Sequence, residues 1–280
     1  MNKILSKEML SSNVVKLVVK APQIAKKRKA GQFIMLKIDE TGERIPLTIA
    51  DADPASGTVT IIAQVVGKTT KQLATLNAGD TILDFVGPLG KPTHIEKFGI
   101  VACIGGGIGV APMHPIAQAL KTAGNNVISI LGARNKDLII MEADMRKASN
   151  EVIIVTDDGS YGKKGFVTNA LQDLVNSGTL PNLVVAIGPP IMMKMVSKLT
   201  ESMKIPTLVS LNTIMIDGTG MCGGCRVTVA GKTKFVCVDG PEFDGHQVDF
   251  DEMMNRLSFY KEEEKTSLEQ HECKLNGVKK

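Results

Sequence analysis

Phe98-Gly-Ile100-Val-Ala-Cys-Ile104-Gly-Gly-Gly-Ile-Gly109-Val-Ala-Pro112-Met-His114 holds the transition on which the fold turns. The apolar run at 100–104 has the length and character of a strand buried on both faces of a parallel sheet. Four glycines in five positions follow, and Pro112 stands where a helix opens. Strand, glycine turn and helix, in that order, form a context for holding a pyrophosphate. Gly105, Gly106, Gly107 and Gly109 let backbone approach a dinucleotide, while Ala111 and Pro112 open a helix whose amides face its phosphates. A tight turn without ligand is the alternative, at an entropic cost that four glycines would leave uncompensated.

Downstream, Val127–Leu131, Val152–Val155 and Leu183–Ile187 repeat the apolar run. Helical stretches near 113–123, 166–175 and 191–203 alternate with them. This predicts a doubly wound α/β domain over 99–208 with its ligands on the rim after the strands. Three rim loops hold candidate contacts. Arg134 can meet a 2′-phosphate, stack on adenine or face solvent, which leaves NAD against NADP open. Asp157, with Asp158 and Tyr161, reads equally as a polar turn or as an adenosine contact. Gly188 and Pro189 lie across the nicotinamide end.

Upstream, residues 1–98 read as short strands at 14–19, 32–38, 58–66 and 81–86. Gly42, Asp53–Gly57 and Gly79-Asp80 separate them, and 69–76 permits a helix. The expected form is a small antiparallel β-barrel. Within it, Arg44-Ile-Pro46-Leu47-Thr48 places a proline in a strand, which implies an edge or an interruption. Such exposed backbone suits a flat ring, with the Thr48 hydroxyl beside it. Gly67, Lys68, Thr69 and Thr70 can enclose a diphosphate through amides and hydroxyls. They lack the full P-loop spacing, which argues against an ATPase.

From 209 to 280 the character changes again. Asp217, Cys222, Cys225 and Cys237 leave four, two and eleven residues between them. With aspartate in place of the first cysteine, this matches the C-x4-C-x2-C…C arrangement of two-iron clusters. A structural zinc is the rival, although its cysteines usually come as two short hairpins or with histidines. A return strand is expected at 234–238, one helix at 251–265 and an unstructured tail beyond. Cys273 reads as a bystander, His114 as a packing residue and His246 as a neighbour of the last ligand.

Composition limits the function classes. Apolar residues form 43% of the 280, enough for a sizeable core in two domains or a pair with an appendage. Aromatics are 4% with no Trp, which argues against nucleic-acid binding by stacking. Charged or glycine residues interrupt every long apolar run, so no membrane span is expected. No signal-peptide core opens the chain, and an odd count of five cysteines, three of them concentrated beside glycines, fits a cytoplasmic site.

Taken together, the barrel motifs, the Gly-Gly-x-Gly-x-Ala-Pro run at 106–112 and the 217–237 donor set resemble the ferredoxin–NADP reductase-like flavoproteins. The branch is the one with a carboxy-terminal two-iron cluster, as in dihydroorotate dehydrogenase electron-transfer subunits. Asp217 is most similar to the small subunits of NADH-dependent reduced ferredoxin:NADP oxidoreductases, also called sulfide dehydrogenase beta subunits. The resemblance spans about residues 3–265. It implies FAD on Pro46–Thr48 with Thr48 near flavin N5, its diphosphate at Gly67–Thr70, NAD(H) on the glycine turn and a [2Fe-2S] cluster on Asp217 and the three cysteines. Ile45 stands at the family's arginine position and the flavin-stacking tyrosine is absent. The implied partner is a larger subunit with another FAD and [4Fe-4S] clusters, through which ferredoxin and NADP are reached indirectly.

The expected function is therefore a flavin- and cluster-containing NAD(P)H oxidoreductase subunit, in bifurcating transhydrogenation. The alternatives are the electron-transfer subunit of dihydroorotate dehydrogenase or of a sulfide or polysulfide oxidoreductase. From another class comes a zinc-binding, nucleotide-responsive regulatory subunit.

Overall fold

The computed structural model describes residues 2–275, with side chains as far as His271. Its first part runs β1 (Asn2–Ser11), β2 (Val14–Lys20), α1 (Pro22–Lys27), β3 (Phe33–Lys37), β4 (Ile45–Asp53), β5 (Thr58–Gln64), α2 (Lys68–Thr75), β6 (Thr81–Ile82) and β7 (Asp84–Leu89). These strands form one antiparallel sheet in the order β6-β1-β2-β5-β4-β3-β7. Its two edge strands are separated in sequence only by Leu83, whose amide donates to the Ile38 carbonyl at 3.1 Å. The chain thereby crosses the seam and nearly closes the expected barrel, which protects its edges. Ile4, Leu17, Ile34, Leu36, Ile49, Ile61 and Leu73 fill the interior.

The second part continues with β8 (Ile100–Gly106), α3 (Val110–Thr122), β9 (Asn126–Ala133), α4 (Glu142–Ala148), β10 (Glu151–Thr156), β11 (Lys163–Lys164), α5 (Val167–Asn176), β12 (Leu183–Ile187), α6 (Pro190–Ser202) and β13 (Thr207–Ser210). Then come β14 (Arg226–Val229), β15 (Lys232–Phe235), α7 (Val236–Asp239), β16 (Glu242–Asp244), α8 (Phe250–Leu257) and α9 (Lys261–Leu275). The second sheet has the order β11-β10-β9-β8-β12-β13-β16, parallel except at β16. From β8 the chain proceeds to β9 on one side and later to β12 on the other. The order therefore reverses at β8, and the glycine turn sits at that switch point, where ligands bind in open α/β sheets.

Three local expectations give way here. The strand expected at 234–238 ends at Phe235, and Cys237 sits on the helical turn α7. The Asp239 carboxylate explains the turn, since it accepts the Phe235 amide at 2.8 Å. The helix expected over 251–265 is two helices, separated by the Ser258–Tyr260 turn. The tail expected to lack structure from 266 is helical to Leu275, and the Cys273 side chain lies outside the described side chains.

Among the described residues the third part has no separate core. Phe33 and Met35 of the barrel, Ala102, Ile104, Val184 and Ala186 of the sheet, and Cys225, Val227, Val236 and Cys237 belong to one buried cluster. On the other face of the sheet, α3 packs with Val14, Ala50 and Ile62 of the barrel. His114 completes that contact, with Nδ1 3.3 Å from the Ala50 carbonyl, and is the packing residue expected of it. His246 instead joins the Thr200 hydroxyl of α6 at 2.9 Å, away from the cysteines.

Candidate functional site

Pro46 lies where β4 has only one neighbour. Residues 45–48 pair with β3, and β5 takes over from Ile49. The missing proline N–H therefore breaks no ladder on the open side. Pro46 pairs with Met35 and Thr48 with Phe33, and each pair shares a face. Pro46, Leu47 and Thr48 are half-buried. Arg44 is exposed and bonds Asp84 of β7 at 2.8 Å.

That loop caps α2. Thr70 Oγ1 accepts the Val66 and Gly67 amides at 3.1 and 3.0 Å, so its hydroxyl shapes the loop. Thr69 is buried. A Cβ on Gly67 would meet nothing within 4 Å, so the cradle is open above the helix end. The first amides of α2 have no intrahelical acceptor and suit phosphate oxygens. Lys68 stands 3.8 Å from Glu43.

The four glycines of the nucleotide turn have different tasks. A Cβ at Gly105 would meet Val110 and Met113 at 2.9 Å, one at Gly106 would strike Met192, and one at Gly109 would strike the Ile187 carbonyl. These three permit close packing. Gly107 differs: its φ is +54 and a Cβ there would meet no atom within 4 Å. It is the glycine that presents backbone to open space. Gly188 comes close as well, since its Cβ would lie 3.1 Å from the Gly106 Cα, so the 105–109 turn and the Gly188-Pro189 loop form one rim. Ala111 is buried and Pro112 half-buried in the first turn of α3.

Arg134 and Asp157 are exposed at the rim ends of β9 and β10. The Asp157 amide donates to the Ala133 carbonyl and the Asp158 amide to that of Arg134. Tyr161 is more than a surface residue. Its hydroxyl donates to Glu142 at 3.1 Å, and Lys136 Nζ lies 5.6 Å from its ring centroid. Glu142 and Lys136 carried no motif, because their meeting depends on the α4 packing.

The metal candidates meet as two pairs. Asp217 accepts the Cys222 amide at 3.0 Å and the Thr219 amide at 2.9 Å. These amides, Thr219 foremost, hold its carboxyl below the ordinary range. The Cys225 and Cys237 sulfurs are 3.2 Å apart in the buried cluster. Burial first, then Cys225, pushes the Cys237 thiol up to about 12. Among the described residues no three His, Cys, Asp or Glu side chains gather as a single metal-ion site. The buried thiols of Cys225 and Cys237, with half-buried Asp217 and exposed Cys222 on the loop above them, are the side chains that would hold a metal group here. Thiolate softness in three of the four donors fits iron–sulfur chemistry.

Three family models match the chain. They are an oxidoreductase FAD-binding domain over 2–94, an oxidoreductase NAD-binding domain over 103–198, and the iron–sulfur cluster binding domain of dihydroorotate dehydrogenase B over 212–249. A Thermotoga maritima protein named as a homolog of the dihydroorotate dehydrogenase B (NAD(+)) electron transfer subunit is 49% identical over 269 residues, 96% of this chain and 95% of that one. The chain belongs to the family of dihydroorotate dehydrogenase B electron-transfer subunits and their homologues. A member from Streptococcus mutans is 34% identical, with 89% of this chain and 97% of that one covered. A chain from the structure of an NADH-dependent reduced ferredoxin-NADP oxidoreductase, described in connection with flavin-based electron bifurcation, is 46% identical. It covers 96% of this chain and 97% of its own length at a TM-score of 0.92.

This member of the family is an NAD(P)H-dependent flavoprotein oxidoreductase subunit with general electron-transfer function. No helix among the described residues is long and apolar enough to cross a membrane.

Proposed function

We propose that this subunit accepts electrons from NADH and passes them to a larger flavin- and [4Fe-4S]-containing partner in bifurcating NADH/ferredoxin:NADP transhydrogenation. The observation that carries this reading is the donor set. Asp217 accepts the Cys222 amide, and Cys225 and Cys237 lie sulfur to sulfur in a core shared with Phe33 and Met35 of β3, the strand paired with Pro46–Thr48. The 46% identity over 96% of this chain to the oxidoreductase chain supports the same reading, while the 49% identical Thermotoga maritima relative, named as a homolog of the dihydroorotate dehydrogenase B electron transfer subunit, keeps the other branch as the alternative.

The division of work follows the three parts, with boundaries near 98 and 208. Pro46, Leu47 and Thr48 hold the flavin ring, and the Thr48 hydroxyl bonds near its N5. Gly67, Lys68 and Thr69 hold the diphosphate through the α2 amides, with Thr70 keeping the loop in shape. Gly107 admits the dinucleotide pyrophosphate while Gly105, Gly106 and Gly109 keep the turn compact, and Ala111 and Pro112 set the helix behind it. Gly188 and Pro189 orient the nicotinamide, and Arg134 and Asp157 border the adenosine. Asp217, Cys222, Cys225 and Cys237 hold a [2Fe-2S] cluster. When bound, FAD accepts two electrons together and releases them singly, and the cluster takes one at a time. The burial of Cys225 and Cys237 excludes water from the inner pair. Binding of iron to those thiols releases their protons, so assembly is favoured by rising pH.

Visible and electron paramagnetic resonance spectra of anaerobically prepared protein test the reading, with NADH titration and recovery of the natively associated partner. Flavin and iron–sulfur bands that bleach with NADH are expected, together with a flavin- and [4Fe-4S]-containing partner. A colourless protein with one zinc would sink the proposal. A pyrimidine-oxidising partner would redirect it to the dihydroorotate dehydrogenase reading, which the match at 212–249 also favours.

A further inference from the structure

Gly218 follows the candidate ligand Asp217 and stands at φ +76, a left-handed conformation that favours glycine. Space demands glycine there as well. A Cβ at this position would lie 2.6 Å from Met35 Cγ and 3.1 Å from its sulfur, with Leu89 Cδ1 at 3.2 Å. The loop backbone therefore rests directly on the outer face of the barrel. Met35 is 2% exposed and belongs to the buried cluster that contains Cys225 and Cys237.

Met35 faces the flavin strand as closely as the ligand loop. It pairs with Pro46 across β3 and β4, and such partners stand about 5 Å apart on one face of a sheet. A single side chain thus spans the gap from the residue after Asp217 to the strand of Pro46 and Thr48. Methionine suits such a place, being unbranched and able to fill an irregular gap. Other ties between the barrel side and the third part lie past the last ligand. The Lys91 amide donates to the Gly240 carbonyl at 2.7 Å, and Thr93 donates to Glu242 at 2.6 Å. They hold the return segment, whereas at Gly218 the loop rests on Met35, with Leu89 beside it.

We infer that Met35 is a positioning residue that fixes the spacing between the iron–sulfur loop and the flavin strand, with Gly218 as the notch that receives it. The inference rests on the proposed occupancy of these two elements by a cluster and FAD. Electron transfer between two centres falls steeply with their separation. A contact that sets the separation therefore governs the rate between them and leaves hydride uptake alone.

The test uses full-length protein with its cofactors and the variants Met35→Ala, Met35→Val and Met35→Leu. Flavin and iron contents are measured first, then bleaching of the flavin and cluster bands after rapid mixing with NADH, then hydrogen exchange of the 217–224 amides. Met35→Leu, which keeps the volume, is expected to behave as the parent. Met35→Ala and Met35→Val should retain both cofactors and the parent rate of flavin bleaching. Their cluster bleaching should be slower, by up to roughly a hundredfold for a misplacement of about 1 Å, and their loop amides should exchange faster. If Met35→Ala fails to fold, Met35→Val carries the comparison, because it keeps a strand-forming side chain. Cluster bleaching at the parent rate in Met35→Val overturns the inference, as does failure of Met35→Leu to restore it. A parent without flavin or iron sinks the functional reading itself, and the contents show this before any variant is compared.

Discussion

Replacing Glu242 with Gln should make stability less dependent on pH, by an amount that the junction around it sets. Glu242 is the first residue of β16, and its carboxyl turns into the meeting place of three segments. Thr93 of the interdomain linker donates to it at 2.6 Å, and a Cβ at Gly31 of the barrel would come within 2.8 Å of the same oxygen. Burial raises its pKa from 4.5 to about 7 against the opposing effect of the Thr93 bond. The Cys103 thiol on β8 feels the Glu242 charge, but burial pushes it to about 12, so it stays neutral below pH 8. Below pH 4.5 the carboxyl is protonated in both folded and unfolded chains and costs nothing. As pH rises from 4.5 to 7 the unfolded chain ionises first, and stability is lost until the folded group ionises too. The 2.5-unit difference, 7 minus 4.5, corresponds to about 3 kcal/mol. Glu242→Gln removes that loss, so its advantage over the parent should be near zero at low pH and about 3 kcal/mol at pH 8. For a chain of this size that is roughly 6–12 °C in Tm. Thermal unfolding of both proteins at pH 5, 6, 7 and 8, with equal cofactor loading, provides the comparison. A Tm difference that stays constant across that range would refute the assignment of a raised pKa to this carboxyl.

Gly107→Leu should weaken dinucleotide binding tenfold or more, since left-handed strain of about 1–2 kcal/mol joins obstruction of the open rim. Normal NADH reduction of the flavin would place the nucleotide elsewhere. Thr48→Val should slow flavin reduction more than it weakens FAD retention, by the value of one hydrogen bond, about 1 kcal/mol, as rapid-reaction absorbance will show. Asp217→Cys should keep the cluster and alter its electron paramagnetic resonance spectrum, because thiolate is a softer donor than carboxylate, whereas a spectrum identical to the parent would remove Asp217 from the ligand set. Arg134→Ala should raise the KM for NADH, and an unchanged KM would take the exposed guanidinium off the dinucleotide.

Periodicity and punctuation made the architecture legible. The β-branched runs before residue 98, the apolar runs alternating with helical stretches after it, and the glycine turn between them are local patterns. Each depends on residues within one element, so each could be read without knowing what packs on what. The cysteine spacing was legible for the same reason, because ligands for one small group must fall within one loop and its return. Other features depended on residues far apart in sequence. Which glycine of the turn faces open space was decided by Met192, Ile187 and Val110, which crowd the other three. Two outcomes were local competitions that periodicity does not mark: Thr70 is drawn into shaping its own loop, and Cys237 ends on a helical turn because Asp239 bonds back to Phe235. Glu242 meets Thr93 from 149 residues away, and nothing in Pro-Glu-Phe-Asp marks it as an enclosed acid. Met35 reads as one more apolar residue of a strand until the fold brings Gly218 onto it. The pattern of a chain specifies its elements through their periods, whereas burial, charge state and the spacing between sites arise only when separate elements exclude water from the same place.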